Sequence, residues 1–172
     1  MAIAAVLIIV PTAFGLICLS LTAGRWRLVT MVLGSWTNFG VVLWSWHTRS
    51  YSSLDQFIGL DPLGHLIVTV IGLLFAAASL HFVGYQRGKL ISQRIFLASM
   101  LGLLTALNLV CVCQNLGLLW VALEASTLAA TPLIYFHGGP RALEAAWKFL
   151  LMNSVGIALA LLGVFCTALA TI

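Results

Sequence analysis

Charged residues are scarce in this sequence. Only 7% of its 172 residues are charged, eight of them Lys or Arg and four of them Asp or Glu, whereas about a quarter of the residues in an average soluble domain are charged. Because so few charges could not cover a water-facing surface, the composition excludes a soluble enzyme and a disordered chain. The basic residues are scattered and form no basic patch, so we also expect no nucleic-acid partner.

Patterns that bind metals or cofactors are also missing from the sequence. The four cysteines and four histidines do not stand at the spacings of metal ligands. There is no glycine-rich phosphate loop, nucleophile elbow or haem-binding pattern. We therefore expect no metal site and no cofactor, and we expect any redox chemistry to belong to other chains.

Apolar residues are abundant instead, at 62% of the chain. A helix of about 20 apolar residues crosses the hydrocarbon core of a bilayer. The sequence contains six such stretches, at residues 2–21, 28–46, 62–83, 95–113, 116–136 and 142–170. It therefore predicts an all-α, polytopic transmembrane helix bundle of six spans, forming a single membrane domain over residues 1–172. The first stretch lacks the basic region of a signal peptide, so we expect a retained helix.

The basic residues predict the orientation of this bundle, because cytoplasmic loops are rich in Lys and Arg. If the N-terminus lies outside, seven basic residues fall at the inner ends of the spans and one falls outside. The inner residues are Arg25, Arg27, Arg87, Lys89, Arg94, Arg141 and Lys148, and the outer residue is Arg49. An even number of spans then places the C-terminus outside as well.

Glu124 is an acidic residue close to the midpoint of the fifth predicted span. Inserting an acidic residue there costs about 2.5–3.5 kcal/mol, so such residues are usually functional. One interpretation is a proton-carrying carboxylate that faces a partner or internal water. The alternative is a protonated carboxyl with a structural role, hydrogen-bonded to Ser126, Thr127 or a neighbouring helix.

Lys148 is the second charged residue within a predicted span. It lies roughly 12 Å into the sixth span, and Glu124 lies roughly 18 Å from the same membrane face, at 1.5 Å per residue. Two long side chains could bridge part of that difference. The alternative is that Lys148 reaches back to the membrane surface, with Glu144 four residues earlier as its ion-pair partner.

Several uncharged polar residues also lie within the spans. Asn108, Asn153 and Ser154 could line a polar path or form hydrogen bonds between helices. His65 lies one turn into the third span, where it could shuttle protons or have a capping role.

Two segments of the sequence resemble a known family. Residues 115–129 (NLGLLWVALEASTLA) and 142–151 (ALEAAWKFLL) are similar to the antiporter-like subunits of proton-pumping complexes. These include the large membrane subunits of respiratory complex I, the Mrp-type cation/proton antiporters and the membrane arms of energy-converting hydrogenases. Segments 57–65 and 81–94 also fit the hydrogenase-4 component F subgroup.

The resemblance implies roles for particular residues. The family's central proton-transfer glutamate matches Glu124, and its lysine early in the sixth span matches Lys148; with Glu144 they form the predicted proton relay. Family members have many more spans, arranged as inverted repeats, and this chain stops after the sixth. The resemblance therefore also implies one of two things: a split or shortened subunit whose missing helices are supplied by another chain, or a truncated gene product.

Together these features predict a membrane subunit of a proton- or sodium-translocating oxidoreductase complex, either NADH dehydrogenase-like or hydrogenase-like. We expect it in the inner (plasma) membrane of a prokaryote, in contact with the lipid bilayer and with other membrane subunits. Two alternatives stay open, namely a structural scaffold without a transport role and a small stand-alone cation/proton transporter that acts as an oligomer.

Overall fold

A computed structural model describes residues 2–21, 24–48, 53–54, 58–85 and 93–170 of the chain. Its helices are α1 (Ala2–Ser20), α2 (Gly24–Thr48), α3 (Pro62–Tyr85), α4 (Gln93–Val112), α5 (Leu116–Ile134) and α6 (Pro140–Ala170). Between α2 and α3, two short strands pair antiparallel, β1 (Ser53–Leu54) with β2 (Ile58–Gly59). A 3-10 turn, Tyr135–His137, follows α5. The all-α class is thus confirmed, with an additional two-stranded sheet that the sequence did not predict.

Five of these helices, α2 to α6, are long and apolar enough to cross a membrane. The apolar part of α1, Ala4–Ser20, is shorter. The described helices therefore have the length and composition of a helical, multi-pass membrane protein. They give five candidate spans and one shorter apolar helix where the sequence predicted six spans.

Two helix starts show how the sequence sets the boundaries. α3 begins at Pro62, as predicted, because proline has no N–H to leave unpaired in the first turn. The backbone N–H of His65 donates to the Asp61 carbonyl over 2.8 Å. α2 begins at Gly24, a turn before the predicted residue 28, so that Arg25 and Arg27 lie in its first turn.

The turns on either side of α5 have clear local causes. Asn115 caps α5, because its side-chain oxygen accepts the backbone N–H groups of Gly117 and Leu118 over 2.9 and 3.4 Å. After α5 the chain reverses at Gly138 and Gly139, whose φ angles are 68° and 93°. Glycine adopts these left-handed angles without a steric penalty. As a result, α5 and α6 are adjacent antiparallel helices.

α4 is the centre of the bundle and packs against α1, α2, α3 and α5, whereas α6 packs mainly on α5. Two apolar clusters hold α1 to α4 together at opposite ends. One contains Ala4, Leu7, Val42, Leu60, Val68 and Val112, and the other contains Cys18, Met31, Phe82 and Leu97. Each cluster combines the start of one helix with the end of the next, so consecutive helices run antiparallel.

One end of the bundle carries the described arginines. Phe136, just after α5, packs against Phe96 at the start of α4 and Phe82 near the end of α3, with ring centroids 4.4 and 6.3 Å away. The starts of α2, α4 and α6 therefore lie at this end, which we call the basic end. Its arginines are Arg25, Arg27, Arg94 and Arg141. The predicted loop residues Arg49, Asp55, Arg87 and Lys89 lie outside the described residues.

Candidate functional site

Glu124 lies near the middle of α5 and is hydrogen-bonded to α6. The Ser154 hydroxyl donates to Glu124 Oε1 over 2.6 Å, and both side chains are half-buried. The hydroxyls of Ser126 and Thr127 instead donate to the backbone carbonyls of Leu123 and Glu124, over 2.7 and 2.8 Å. Of the partners considered for this carboxyl, the structure thus shows the one on the neighbouring helix.

The contact between α5 and α6 continues one turn away. Trp120, four residues before Glu124, donates its indole N–H to the Ile157 carbonyl over 3.2 Å. Ile157 lies three residues after Ser154, so the two hydrogen bonds join the same faces of the two helices. We call this contact between α5 and α6, joined by the Glu124–Ser154 and Trp120–Ile157 hydrogen bonds, the seam. Glu124 is therefore held at a defined position within it.

Lys148 and Glu144 form an ion pair on the outer side of α6. The distance from Lys148 Nζ to Glu144 Oε1 is 2.5 Å, and the two side chains are 69% and 63% exposed. This is the arrangement that the sequence offered as the alternative for Lys148. It is also the one ion pair seen between the residues that the structure describes.

The structure does not bring Lys148 to Glu124. Ser154, the α6 residue that faces Glu124, lies six residues after Lys148, which corresponds to about 9 Å along the helix axis. The sequence predicted an offset of about 6 Å from the residue counts alone. Direct proton transfer between the two side chains would therefore need an intervening water molecule or a movement of the side chains.

A second polar contact lies deep between α1, α2 and α4. The Asn108 amide donates to the Leu7 carbonyl over 2.9 Å and to Asn38 Oδ1 over 3.0 Å. Both asparagines are completely buried. Asn108 and Ser154 therefore form hydrogen bonds between helices, one of the two roles predicted for them, whereas the role of Asn153 stays a prediction.

His65 is buried at the opposite end from the arginines. Its Nε2 atom lies 2.6 Å from the Ser45 hydroxyl, and its ring packs on Trp46 with a centroid distance of 4.7 Å. Trp46 in turn donates to the Thr69 hydroxyl over 2.9 Å. His65 is thus part of a contact between α2 and α3, far along the chain from Glu124.

Sequence reasoning missed Asn38 and Ser45, which face the interior of the bundle. A spacing signal could have found them, because Ser35, Asn38 and Ser45 recur at the three- and seven-residue intervals of one helix face. All three are at most 1% exposed. Within the described ranges, no group of three His, Cys, Asp or Glu side chains could hold a metal ion.

Comparison with known proteins shows two relatives, although no protein-family model matches the chain. The chain is 34% identical over 104 residues to a hydrogenase-4 component F homolog from Methylacidiphilum infernorum. The matched stretch covers 58% of this chain and 22% of that relative. The chain is also 27% identical over 138 residues to NADH-quinone oxidoreductase subunit N 1 from Opitutus terrae. This matched stretch covers 77% of this chain and 27% of that relative.

The chain therefore spans about a quarter of the length of the curated relatives it matches. One relative is named as a homolog of hydrogenase-4 component F and the other as a subunit of an NADH-quinone oxidoreductase. The resemblance to antiporter-like membrane subunits, predicted from the sequence, is thereby confirmed.

Proposed function

We propose that this chain is a membrane subunit of a proton- or sodium-translocating oxidoreductase complex, in which Glu124 carries the proton. The main support is the position of Glu124, a carboxylate in the middle of an apolar helix that faces a hydroxyl donor on α6 at 2.6 Å. Acidic residues at such depth are costly and typically belong to ion pathways. The names of the two relatives support this class of complex.

The proposed topology has six spans with both ends of the chain outside, in the inner (plasma) membrane of a prokaryote. It counts α1 as a span beside the five candidate spans α2 to α6. The clustering of Arg25, Arg27, Arg94 and Arg141 at one end supports a cytoplasmic position for that end.

The proposed mechanism is electrostatic. A positive charge that approaches a carboxylate favours proton release, and its departure favours proton uptake. In the observed state Glu144 holds the Lys148 ammonium. Lys148 lies about 9 Å along α6 from Ser154, the residue that faces Glu124. When that pair opens, the ammonium can turn toward the seam and change the protonation of Glu124, so that Glu144, Lys148 and Glu124 act as one relay.

Other membrane subunits would complete the path across the bilayer. Ala146 is the one residue of α6 that the structure buries, so the face of α6 that does not contact α5 is available to lipid or to neighbouring chains. The matched stretches make up 22% and 27% of the two relatives, and we propose that further helices of the complex complete the path. One central carboxylate and one lysine do not by themselves span about 30 Å of hydrocarbon.

The experiment that tests this function is the Glu124→Gln substitution in the intact complex, with proton pumping measured in inverted membrane vesicles. Glutamine keeps the oxygen that accepts the Ser154 hydroxyl but cannot release a proton. Pumping should be lost while the complex still assembles. Asp61→Asn is the matched control, because Asp61 is an exposed acid at the start of α3.

A scaffold role is the second candidate, and the hydrogen bond between Ser154 and Glu124 favours it. A permanently protonated Glu124 would accept this bond and simply hold α5 to α6. Infrared difference spectra of the carboxyl band distinguish the two functions. A band that changes during turnover supports the relay, whereas a carboxyl that stays protonated throughout supports the scaffold.

A further inference from the structure

Two arginine side chains converge where α1 ends and where α2 and α4 begin. Arg27 Nε donates to the Leu21 carbonyl over 2.7 Å, and Arg94 Nη2 donates to the same oxygen over 3.2 Å. Because both nitrogens bond to one oxygen, they lie within about 6 Å of each other. Two positive charges are thus brought close together at the basic end.

The end of α1 needs only one of these two arginines. The last carbonyls of a helix need donors, but one guanidinium is enough for the Leu21 oxygen. Arg27 is only 7% exposed. Arg94 Nε is buried, and no described residue accepts its hydrogen. Arg94 therefore adds a second charge and an unused donor at a partly buried position.

The acidic side chains that the structure describes lie away from Arg27 and Arg94. Asp61 lies at the start of α3, at the opposite end of the bundle. Glu124 accepts from Ser154, and Glu144 is paired with Lys148. The remaining acid, Asp55, lies outside the described residues. An acceptor for Arg94 Nε from outside the described chain would both satisfy this donor and offset the repulsion between the guanidinium groups.

A phosphate group fits these requirements. Its oxygens can accept from several N–H groups at once, and the planar fork of arginine matches its geometry. A singly charged phosphate diester would lower the repulsion between two guanidinium groups. Free phosphate and the headgroup of a phospholipid share this chemistry.

The surroundings of the two arginines favour the phospholipid. Trp26 and Ile95, the sequence neighbours of Arg27 and Arg94, are 65% and 60% exposed. They provide apolar surface for acyl chains on two membrane-spanning helices, and tryptophan is enriched at the depth of lipid headgroups. Basic pockets between membrane helices are known to bind anionic headgroups.

We propose that Arg27 and Arg94 bind the phosphate of an anionic phospholipid at the junction of α1, α2 and α4. The lipid holds the ends of these three helices together and is separate from the Glu124 site on α5. This inference does not depend on the proposed ion translocation, since a scaffold subunit would bind the same lipid.

The test compares two double variants of the chain, purified in mild detergent in the assembly in which it occurs. Arg27→Gln/Arg94→Gln removes the proposed site. Arg25→Gln/Arg141→Gln removes the same charge from exposed positions at the same end. Retained lipid is counted by native mass spectrometry, and phosphatidylglycerol is then added back in nanodiscs, with phosphatidylcholine as the neutral comparison.

We expect the unchanged chain and the Arg25/Arg141 variant to retain an anionic phospholipid and to bind phosphatidylglycerol alike. The Arg27/Arg94 variant should bind it about fivefold more weakly for each charge removed. Equal binding by the two variants would overturn the proposal. So would displacement of the lipid by inorganic phosphate alone, because free phosphate would then be the ligand. If the double variant does not fold, Arg94→Gln alone gives the same comparison against Arg141→Gln, since Arg27 still caps Leu21.

Discussion

Ser154 donates its hydroxyl hydrogen to Glu124 over 2.6 Å, and this bond joins α6 to the middle of α5. The Trp120 indole, hydrogen-bonded to the Ile157 carbonyl at 3.2 Å, fixes the same two helices one turn away. This second hydrogen bond does not involve the Glu124 carboxyl.

Ser154→Ala removes the donor that faces Glu124. Hydrogen bonds between membrane helices are worth about 0.6–2 kcal/mol, so we expect a small loss of stability and a partial loss of pumping. Thermal unfolding of the purified complex and pumping in inverted vesicles measure the two effects. Ser154→Thr, which keeps a hydroxyl, should behave nearly like the unchanged chain. Full pumping by the alanine variant would show that the relay does not use this contact.

Lys148→Gln breaks the ion pair with Glu144. Because both side chains are largely exposed, the pair contributes only about 0.3–0.5 kcal/mol and stability should hardly change. Pumping should fall severalfold if Lys148 adjusts the protonation of Glu124. The control is Arg141→Gln, which removes an exposed charge from the first turn of α6. Equal pumping by the two variants would leave Lys148 with a surface role only.

Asn108→Leu removes the donor that Leu7 and Asn38 share. Leaving buried acceptors without a partner costs about 1–3 kcal/mol, so the midpoint of thermal unfolding should fall. The double variant Asn38→Leu/Asn108→Leu should lose less stability than the two single variants added together. The reason is that it also removes the Asn38 amide, which Asn108→Leu alone leaves without its donor. Strict additivity, or an Asn108→Leu chain as stable as the original, would contradict the structure of this contact.

The parts of the site that could be predicted are those set by one short segment. Glu124 stood out because a single carboxylate interrupts a long apolar run. The pair between Lys148 and Glu144 followed from their four-residue spacing on one helix. The start of α3 at Pro62 followed from the chemistry of proline in a first turn.

The parts that could not be predicted depend on how separate helices are rotated and packed. Hydropathy locates a span but does not determine which residue of α6 faces Glu124. Asn38 and Asn108 meet across 70 residues, and Ser45 and His65 across 20. The strands β1 and β2 are two residues each, too short to show an alternating pattern. The first turn of α2 was missed because its arginines interrupt the apolar run.

Proton pumping by the Glu124→Gln variant of the intact complex shows directly whether Glu124 carries the proton. Inverted vesicles are energised with the complex's own electron donor, and acidification is followed with a pH-sensitive dye alongside the amount of assembled complex. We predict that pumping falls to background while assembly and the response of the Asp61→Asn control stay unchanged. Normal pumping by the fully assembled Glu124→Gln complex would show that Glu124 does not carry the proton.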